Sequence, residues 1–239
     1  MLCDIDNVIR FYDHAELARL ERESGLTPGI TAQVAFEPAI DHPLLLGRIG
    51  KQEWVESIAR GLRTRAPVSE DQARELGTAL ATAPFRADAT VVGMLQRVRV
   101  RMPLVLVSNA SLELEEELAS LGLSQLAHHV VDSARTGVVK PDRRIYEIAA
   151  ERAGAAVGRC LFVDDRRENV DAAVAMGMTG AHYREHADLR EALGPLLEAQ
   201  AGRAPGGAGE RPGRRGAFRA VRRPAAGGAG DRAARAPDL

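Results

Sequence analysis

Leu161-Phe162-Val163-Asp164-Asp165 is the stretch that decides the fold. Three apolar residues in a row, with no alternation, describe a strand buried on both faces. Two carboxylates stand directly at its end. The same form, an apolar run closed by a polar island, occurs three more times. Met1-Leu2-Cys3 runs into Asp4-Ile5-Asp6, and Leu104-Val105-Leu106-Val107 runs into Ser108-Asn109. Gly137-Val138-Val139 runs into Lys140-Pro141. Continuous apolar strands separated by amphipathic helices predict an α/β fold, a doubly wound parallel sheet covered on both faces. In such sheets ligands bind beyond the carboxyl ends of the strands. All four islands fall at those ends.

Around these strands the helical pattern is clear. Residues 2–6 read as a short strand and 14–83 as mostly helical. Within that block Ala15, Leu17, Ala18 and Leu20 recur at helical spacing, as do Trp54, Val55, Ile58 and Leu62. Ser69 with Gln72 three residues on is a capping-box pattern for a helix to about Ala83. Thr27-Pro28-Gly29 and His42-Pro43 read as turns between helices. Further on, Val91 to Arg99 is helical, Ser111 is expected to cap a helix ending at Gly122, and Val130-Val131 is a short strand. Asp142 caps a helix carrying Ile145, Ile148 and Ala149. Another helix, through Val170, Ala173 and Val174, stops at Gly177. Gly180–Tyr183 fits a last strand.

The bulk composition excludes several classes. The chain has 239 residues, 45% hydrophobic and 27% charged, which suits a water-soluble globular protein. No run approaches the roughly 18 apolar residues of a membrane span. The N-terminus lacks a basic region followed by an apolar segment, so no signal peptide and a cytoplasmic location are expected. Cys3 and Cys160 fall in predicted buried strands and read as reduced core thiols. The net charge of −1 hides an asymmetry: residues 201–239 carry +6 and the remainder −7. The acidic body is not a general nucleic-acid surface. The Gly/Ala/Arg/Pro-rich tail, 201–239, is expected to be disordered, because it cannot bury enough apolar surface to offset ordering entropy. Only Lys51 and Lys140 are lysine; the other thirty basic residues are arginine. A lysine kept at a strand-to-helix junction points to a position that needs a compact ammonium rather than a planar fork.

The chemistry of the islands is that of phosphoryl transfer. Asp4 and Asp6, two apart on an extended strand, point the same way and could reach one ligand. A divalent cation would relieve their mutual repulsion, and Mg²⁺ favours carboxylate oxygen, phosphate and water. Asp164 and Asp165 offer further carboxylates. Ser108 offers a hydroxyl to a phosphate oxygen, and Lys140 offers charge. Single islands are weak signals; their order and placement together carry the reading. His128-His129 reads as a surface pair rather than a metal site, and Trp54 as packing.

With these residues in view, the chain resembles the haloacid dehalogenase superfamily, over about residues 1–200. The motifs are Asp4-Ile5-Asp6-Asn7-Val8, the Leu104–Asn109 strand end, Gly137-Val138-Val139-Lys140-Pro141, and Phe162-Val163-Asp164-Asp165 with Asn169. The resemblance implies a Rossmann-like core, 1–13 and 87–200, with a small helical cap inserted at 14–86. It implies Asp4 as the nucleophile forming an aspartyl-phosphate, and Asp6 as general acid then base. It implies Mg²⁺ on the Asp4 carboxylate, the Asp6 backbone carbonyl and Asp165, with Asp164 close by. Ser108, Asn109 and Lys140 would hold the phosphoryl group, and Lys140 would also pair with Asp4. Asp6-Asn7-Val8-Ile9, and Gly47-Arg48-Ile49-Gly50 leading into Trp54, are similar to the small-cap branch with sugar-phosphate phosphatases such as alpha-D-glucose-1-phosphate phosphatase. The implied partner is a small phosphate ester, with neither nucleic acid nor membrane; no oligomeric state is assigned. A first strand with only three residues ahead of Asp4 departs from the pattern, as does the basic tail. The rivals are a haloacid dehalogenase of the same fold, a phospho-acceptor receiver domain, and a non-catalytic binding protein. Asp6 argues against dehalogenation, and the motif order argues against a receiver.

Overall fold

A computed structural model describes residues 1–198. The tail assigned to 201–239 lies outside the described residues. The chain runs β1 (Leu2–Cys3), β2 (Arg10–Tyr12), then five helices: α1 (Ala15–Glu23), α2 (Ile30–Ala35), α3 (Pro38–Leu45), α4 (Lys51–Arg63) and α5 (Glu70–Ala81). Strand β3 (Phe85–Ala87) and α6 (Ala89–Arg99) come next, then β4 (Val105–Ser108), α7 (Leu114–Ser120), β5 (His129–Asp132), α8 (Ser133–Thr136) and α9 (Arg143–Arg152). After a 3₁₀ turn at Val157–Arg159 come β6 (Leu161–Asp164), α10 (Arg167–Ala175), β7 (Thr179–His182) and α11 (His186–Glu198).

Five strands form one sheet in the order β5-β4-β1-β6-β7. Every pairing in it is parallel. The chain builds outward from β1 through β4 to β5, then returns to the other side of β1 for β6 and β7, so the topological switch lies at β1. Each face carries its own apolar layer. On one face Cys3, Leu106 and Val163 pack with Val91, Met94, Leu95, Leu114, Leu118, Leu189 and Leu193, from α6, α7 and α11. On the other, Leu2, Val105, Val107 and Phe162 pack with Ile145, Tyr146, Ala149 and Ala173, from α9 and α10. This is the period-2 alternation of a sheet covered on both sides. The doubly wound parallel sheet read from the sequence is therefore the fold.

Between β2 and β3 the helices α1–α5 enclose a separate apolar cluster that includes Leu17, Val34, Trp54, Ile58, Leu62, Leu76 and Leu80. Ser69 and Gln72 form the expected capping box on α5. Trp54 is a packing residue, 6% exposed. The loop after α3 needs a glycine: Gly47 has φ +66°, and a Cβ there would lie 2.6 Å from the Ala134 carbonyl oxygen. That close approach seats the helical block on α8, directly after the carboxyl end of β5.

Several local expectations are corrected. Strand β1 stops at Cys3, and Asp6 joins only an isolated bridge to Arg10. Beyond it lies an antiparallel ribbon, β2 with β3, that three-residue strands do not announce by periodicity. His42-Pro43 is not a turn but the interior of α3. That helix ends two residues later, so the proline costs few hydrogen bonds. Helix α7 begins at Leu114, with no side-chain cap at Glu113; Ser111 instead stands in the preceding turn, where its carbonyl accepts from Leu114. Helix α11 has no counterpart in the sequence reading.

One carboxyl in the helical block carries a cost. Burial pushes the Asp41 group from its ordinary 3.8 up to about 6, although the Arg166 charge pulls it down. A raised folded-state pKa means stability that is full below about pH 4 and is lost as pH rises through 6. Asp41→Asn should therefore raise the unfolding free energy at pH 8, by no more than about 3 kcal/mol, and change it little near pH 4. Urea unfolding at the two pH values checks this; an equal effect at both contradicts it.

Candidate functional site

Sheet register brings three of the four polar islands to one rim; Lys140 reaches it from the loop between α8 and α9, because 137–139 is not a strand but a turn leading out of α8. Cys3 pairs with Leu106 on β4 and with Val163 on β6, so the next residue, Asp4, stands level with Val107 and Asp164. Its backbone N–H donates to the Val163 carbonyl at 2.9 Å. Ser108, at the end of β4, pairs with Asp132 on β5.

Lys140 is the hub. It is 5% exposed. Its ammonium contacts three oxygens: Asp4 Oδ1 at 2.7 Å, Asp164 Oδ2 at 2.7 Å and the Val107 carbonyl at 3.0 Å. Three acceptors around one small cation suit three rotatable N–H donors, not a planar fork. The retained lysine has its physical reason here. Burial alone would depress its pKa, but Asp4 and Asp164 outweigh that, and it rises above the ordinary value. The Lys140–Pro141 peptide is cis. Asn109 grips the Lys140 backbone at both ends: its Nδ2 donates to the Lys140 carbonyl at 3.0 Å, and its Oδ1 accepts from the Lys140 N–H at 2.7 Å. Asn109 thus fixes the backbone of Lys140 at the rim.

Asp164 is fully enclosed. Besides Lys140 it accepts from Asn169 Nδ2 at 3.0 and 3.1 Å and from the Arg166 N–H at 2.8 Å. Asn169 is held in turn by the buried Tyr146, whose hydroxyl donates to the Asn169 carbonyl at 3.0 Å. Asp165 is only half-buried, and its Oδ2 accepts one bond, from Asn7 Nδ2 at 3.0 Å. Asn7 is not among the site candidates read from the sequence, yet it contacts one of them. It sits at φ 59°, left-handed backbone in which asparagine is among the few tolerated non-glycine residues. An asparagine directly after an Asp-x-Asp was the available signal.

Asp4, Asp164 and Asp165 each place a carboxylate oxygen within 4.8 Å of the others. One lysine among three carboxylates leaves an excess of negative charge. Burial, partly opposed by Lys140 and reinforced by Asp164 and Asp6, pushes the Asp4 carboxyl up to about 8. The oxygen set, the excess charge and the half-exposed position of Asp165 at the rim fit a hard divalent cation, which would favour the ionised form of Asp4. Ser108 is buried at the same rim.

Asp6 stands apart from Lys140. Its two oxygens accept from Arg10, at 2.6 Å from Nε and 3.1 Å from Nη2. His128 and His129 stay outside the cluster; His128 Nδ1 accepts from the Leu104 N–H at 3.1 Å. Cys3 and Cys160 are buried free thiols. No described helix is long and apolar enough to cross a membrane.

Comparison with known proteins agrees with this geometry. The solved HAD family enzyme BT-2542 from Bacteroides thetaiotaomicron superposes with a TM-score of 0.61 at 16% identity, over 80% of this chain and 95% of that one. A second structure of it, in complex with magnesium and inorganic phosphate, superposes at 0.59, also at 16% identity, over 77% and 93%. L-2-haloacid dehalogenase from Xanthobacter autotrophicus matches at 0.55 and 20% identity, over 84% and 86%. In sequence, a sesquiterpene phosphatase, astK of Aspergillus oryzae, is 38% identical over 66 residues, 26% of this chain. That match spans about a third of the length of the curated relative. The sequence pattern of the haloacid dehalogenase-like hydrolases matches residues 3–177. With the motifs gathered on one rim of the expected sheet, the chain belongs to the haloacid dehalogenase-like hydrolase family.

Proposed function

We propose that this hydrolase is a Mg²⁺-dependent phosphatase acting on a small phosphorylated metabolite, a sugar phosphate among the candidates. The observation that carries the reading is the Asp4–Lys140–Asp164 cluster, whose ammonium holds Asp4 at 2.7 Å beside a set of cation-ready carboxylates. The magnesium–phosphate complex of the similar Bacteroides enzyme supports the same ligand pair, and the sesquiterpene phosphatase supports a phosphate ester.

In this reading Asp4 and Asp165, with the Asp6 carbonyl, would hold Mg²⁺, and Asp164 would support the site from beneath while anchoring Lys140. The ion would supply positive charge opposite the phosphoryl oxygens. The Asp4 carboxylate attacks phosphorus, and the phosphorus–oxygen bond to the leaving alcohol breaks. Asp6 gives that alcohol its proton. It then takes a proton from water, which attacks the aspartyl-phosphate, releases phosphate and restores Asp4. Lys140 and Ser108 steady the phosphoryl oxygens. The helices of 14–86 act as a cap over this rim and exclude bulk water.

Dehalogenation is the rival within the family. A carboxyl two residues after the nucleophile is needed to protonate an alkoxide, whereas a halide leaves without a proton, so Asp6 favours phosphate. The test is a panel of sugar phosphates, prenyl phosphates, para-nitrophenyl phosphate and 2-haloacids, each with Mg²⁺ and with EDTA. Phosphate release that EDTA removes is the expected result. Halide release, or phosphate release that EDTA leaves intact, overturns it.

A further inference from the structure

Lys51, the second of the two lysines, and Arg10 take no part in the chemistry above, yet they end in the same charged chain. Arg10 is 2% exposed. Its Nε and Nη2 grip both oxygens of Asp6, and Nη1 reaches Glu117 Oε2 at 2.5 Å. The Tyr12 and Phe85 rings lie 5.0 and 5.4 Å from the guanidinium carbon. A planar fork between a carboxylate pair and two ring faces has little freedom left. Glu117 is on α7, in the sheet-bearing part of the molecule. Its other oxygen, Oε1, pairs with the ammonium of Lys51, in the first turn of α4 in the helical block. Two cations alternate with two anions, so the chain is neutral as a whole. The same pairs bring Glu117 below the ordinary carboxyl range against the upward push of burial. These contacts span 107 positions from Arg10 to Glu117 and 66 from Lys51 to Glu117. They tie β2, α7 and α4 together at one point, and that point carries Asp6.

We infer that Arg10 is the positioning residue for Asp6, and that Lys51, through Glu117, makes this positioning depend on the seating of the helical block. The inference rests on the phosphatase reading and adds to it the means by which Asp6 is set. Arg10 supplies orientation through both carboxylate oxygens, and Glu117 keeps Arg10 from turning away. Lys51 closes the chain from the side that would cover the substrate, so block and Asp6 are in place together.

The test compares two esters. An alkyl phosphate needs its leaving oxygen protonated; para-nitrophenyl phosphate releases a stable phenolate and needs little help. A residue acting through Asp6 must therefore affect the first more than the second. Arg10→Lys should lower kcat on the alkyl ester by about 100-fold, the low end of what a positioned acid–base group contributes. Lys51→Met should lower it by about tenfold, within the range of a coupling network. On para-nitrophenyl phosphate each loss should shrink to about threefold or less. In an Asp6→Ala background neither substitution should cost anything further on the alkyl ester. Lys51 is on the rim, one-third exposed, so Lys51→Met keeps the test open should Arg10→Lys fail to fold. Equal losses on both esters, or losses that add to that of Asp6→Ala, overturn the positioning role and leave the phosphatase reading standing. A wild-type protein that releases phosphate from no ester of the panel above overturns both.

Discussion

Asp4→Asn is expected to abolish phosphate release, by more than about 10⁴-fold, with the fold retained. An amide is too weak a nucleophile to attack phosphorus, and it also removes one anionic oxygen from the proposed cation site. The side chain keeps its size in a position that is 5% exposed, so packing is unchanged. Lys140 keeps Asp164 and the Val107 carbonyl as partners. Thermal unfolding close to that of the wild type, with turnover gone, is the predicted pairing. Full activity in the variant would remove Asp4 from the nucleophile's role.

Lys140→Met has the second largest effect and acts on stability as well as turnover. It leaves Asp4 and Asp164 buried, adjacent and without their shared cation. Breaking a buried ion pair by removing one partner costs about 3–5 kcal/mol. In a domain of this size that lowers the melting temperature by an amount on the order of 10 °C. Added Mg²⁺ should return part of the loss, since a cation bound only by the folded state stabilises it by mass action. Lys140→Arg should recover little activity, because a larger planar guanidinium does not fit where one enclosed ammonium meets oxygens from three directions. Differential scanning calorimetry with and without Mg²⁺ reads the stability effect. A melting temperature equal to the wild type's would contradict the hub assigned to Lys140.

Most of this arrangement was legible in the chain because it is local. Unbroken apolar runs such as Leu161-Phe162-Val163 announce doubly covered strands, and a parallel sheet of such strands brings the polar residues at their carboxyl ends to one rim. The Ser69–Gln72 capping box was visible for the same reason, since a four-residue span carries the whole signal. The hidden part is held by long-range contacts. Arg10, between Ile9 and Phe11, looks like the polar side of a strand, and its partner Glu117 is one of a run of acids from Glu115 to Glu117. The β2–β3 ribbon joins segments on either side of the helical block. Asn109 stands out in the sequence only as the residue after Ser108; its two bonds to the Lys140 backbone depend on the path of another loop.

The direct measurement is chemical trapping of the aspartyl-phosphate. The wild-type protein turning over para-nitrophenyl phosphate with Mg²⁺ is quenched with borohydride, which reduces an acyl phosphate to an alcohol. Mass spectrometry should then find Asp4 converted to homoserine, and the conversion should vanish with EDTA. Phosphate released at full rate while Asp4 stays unmodified, or a label on a different carboxylate, would contradict the account.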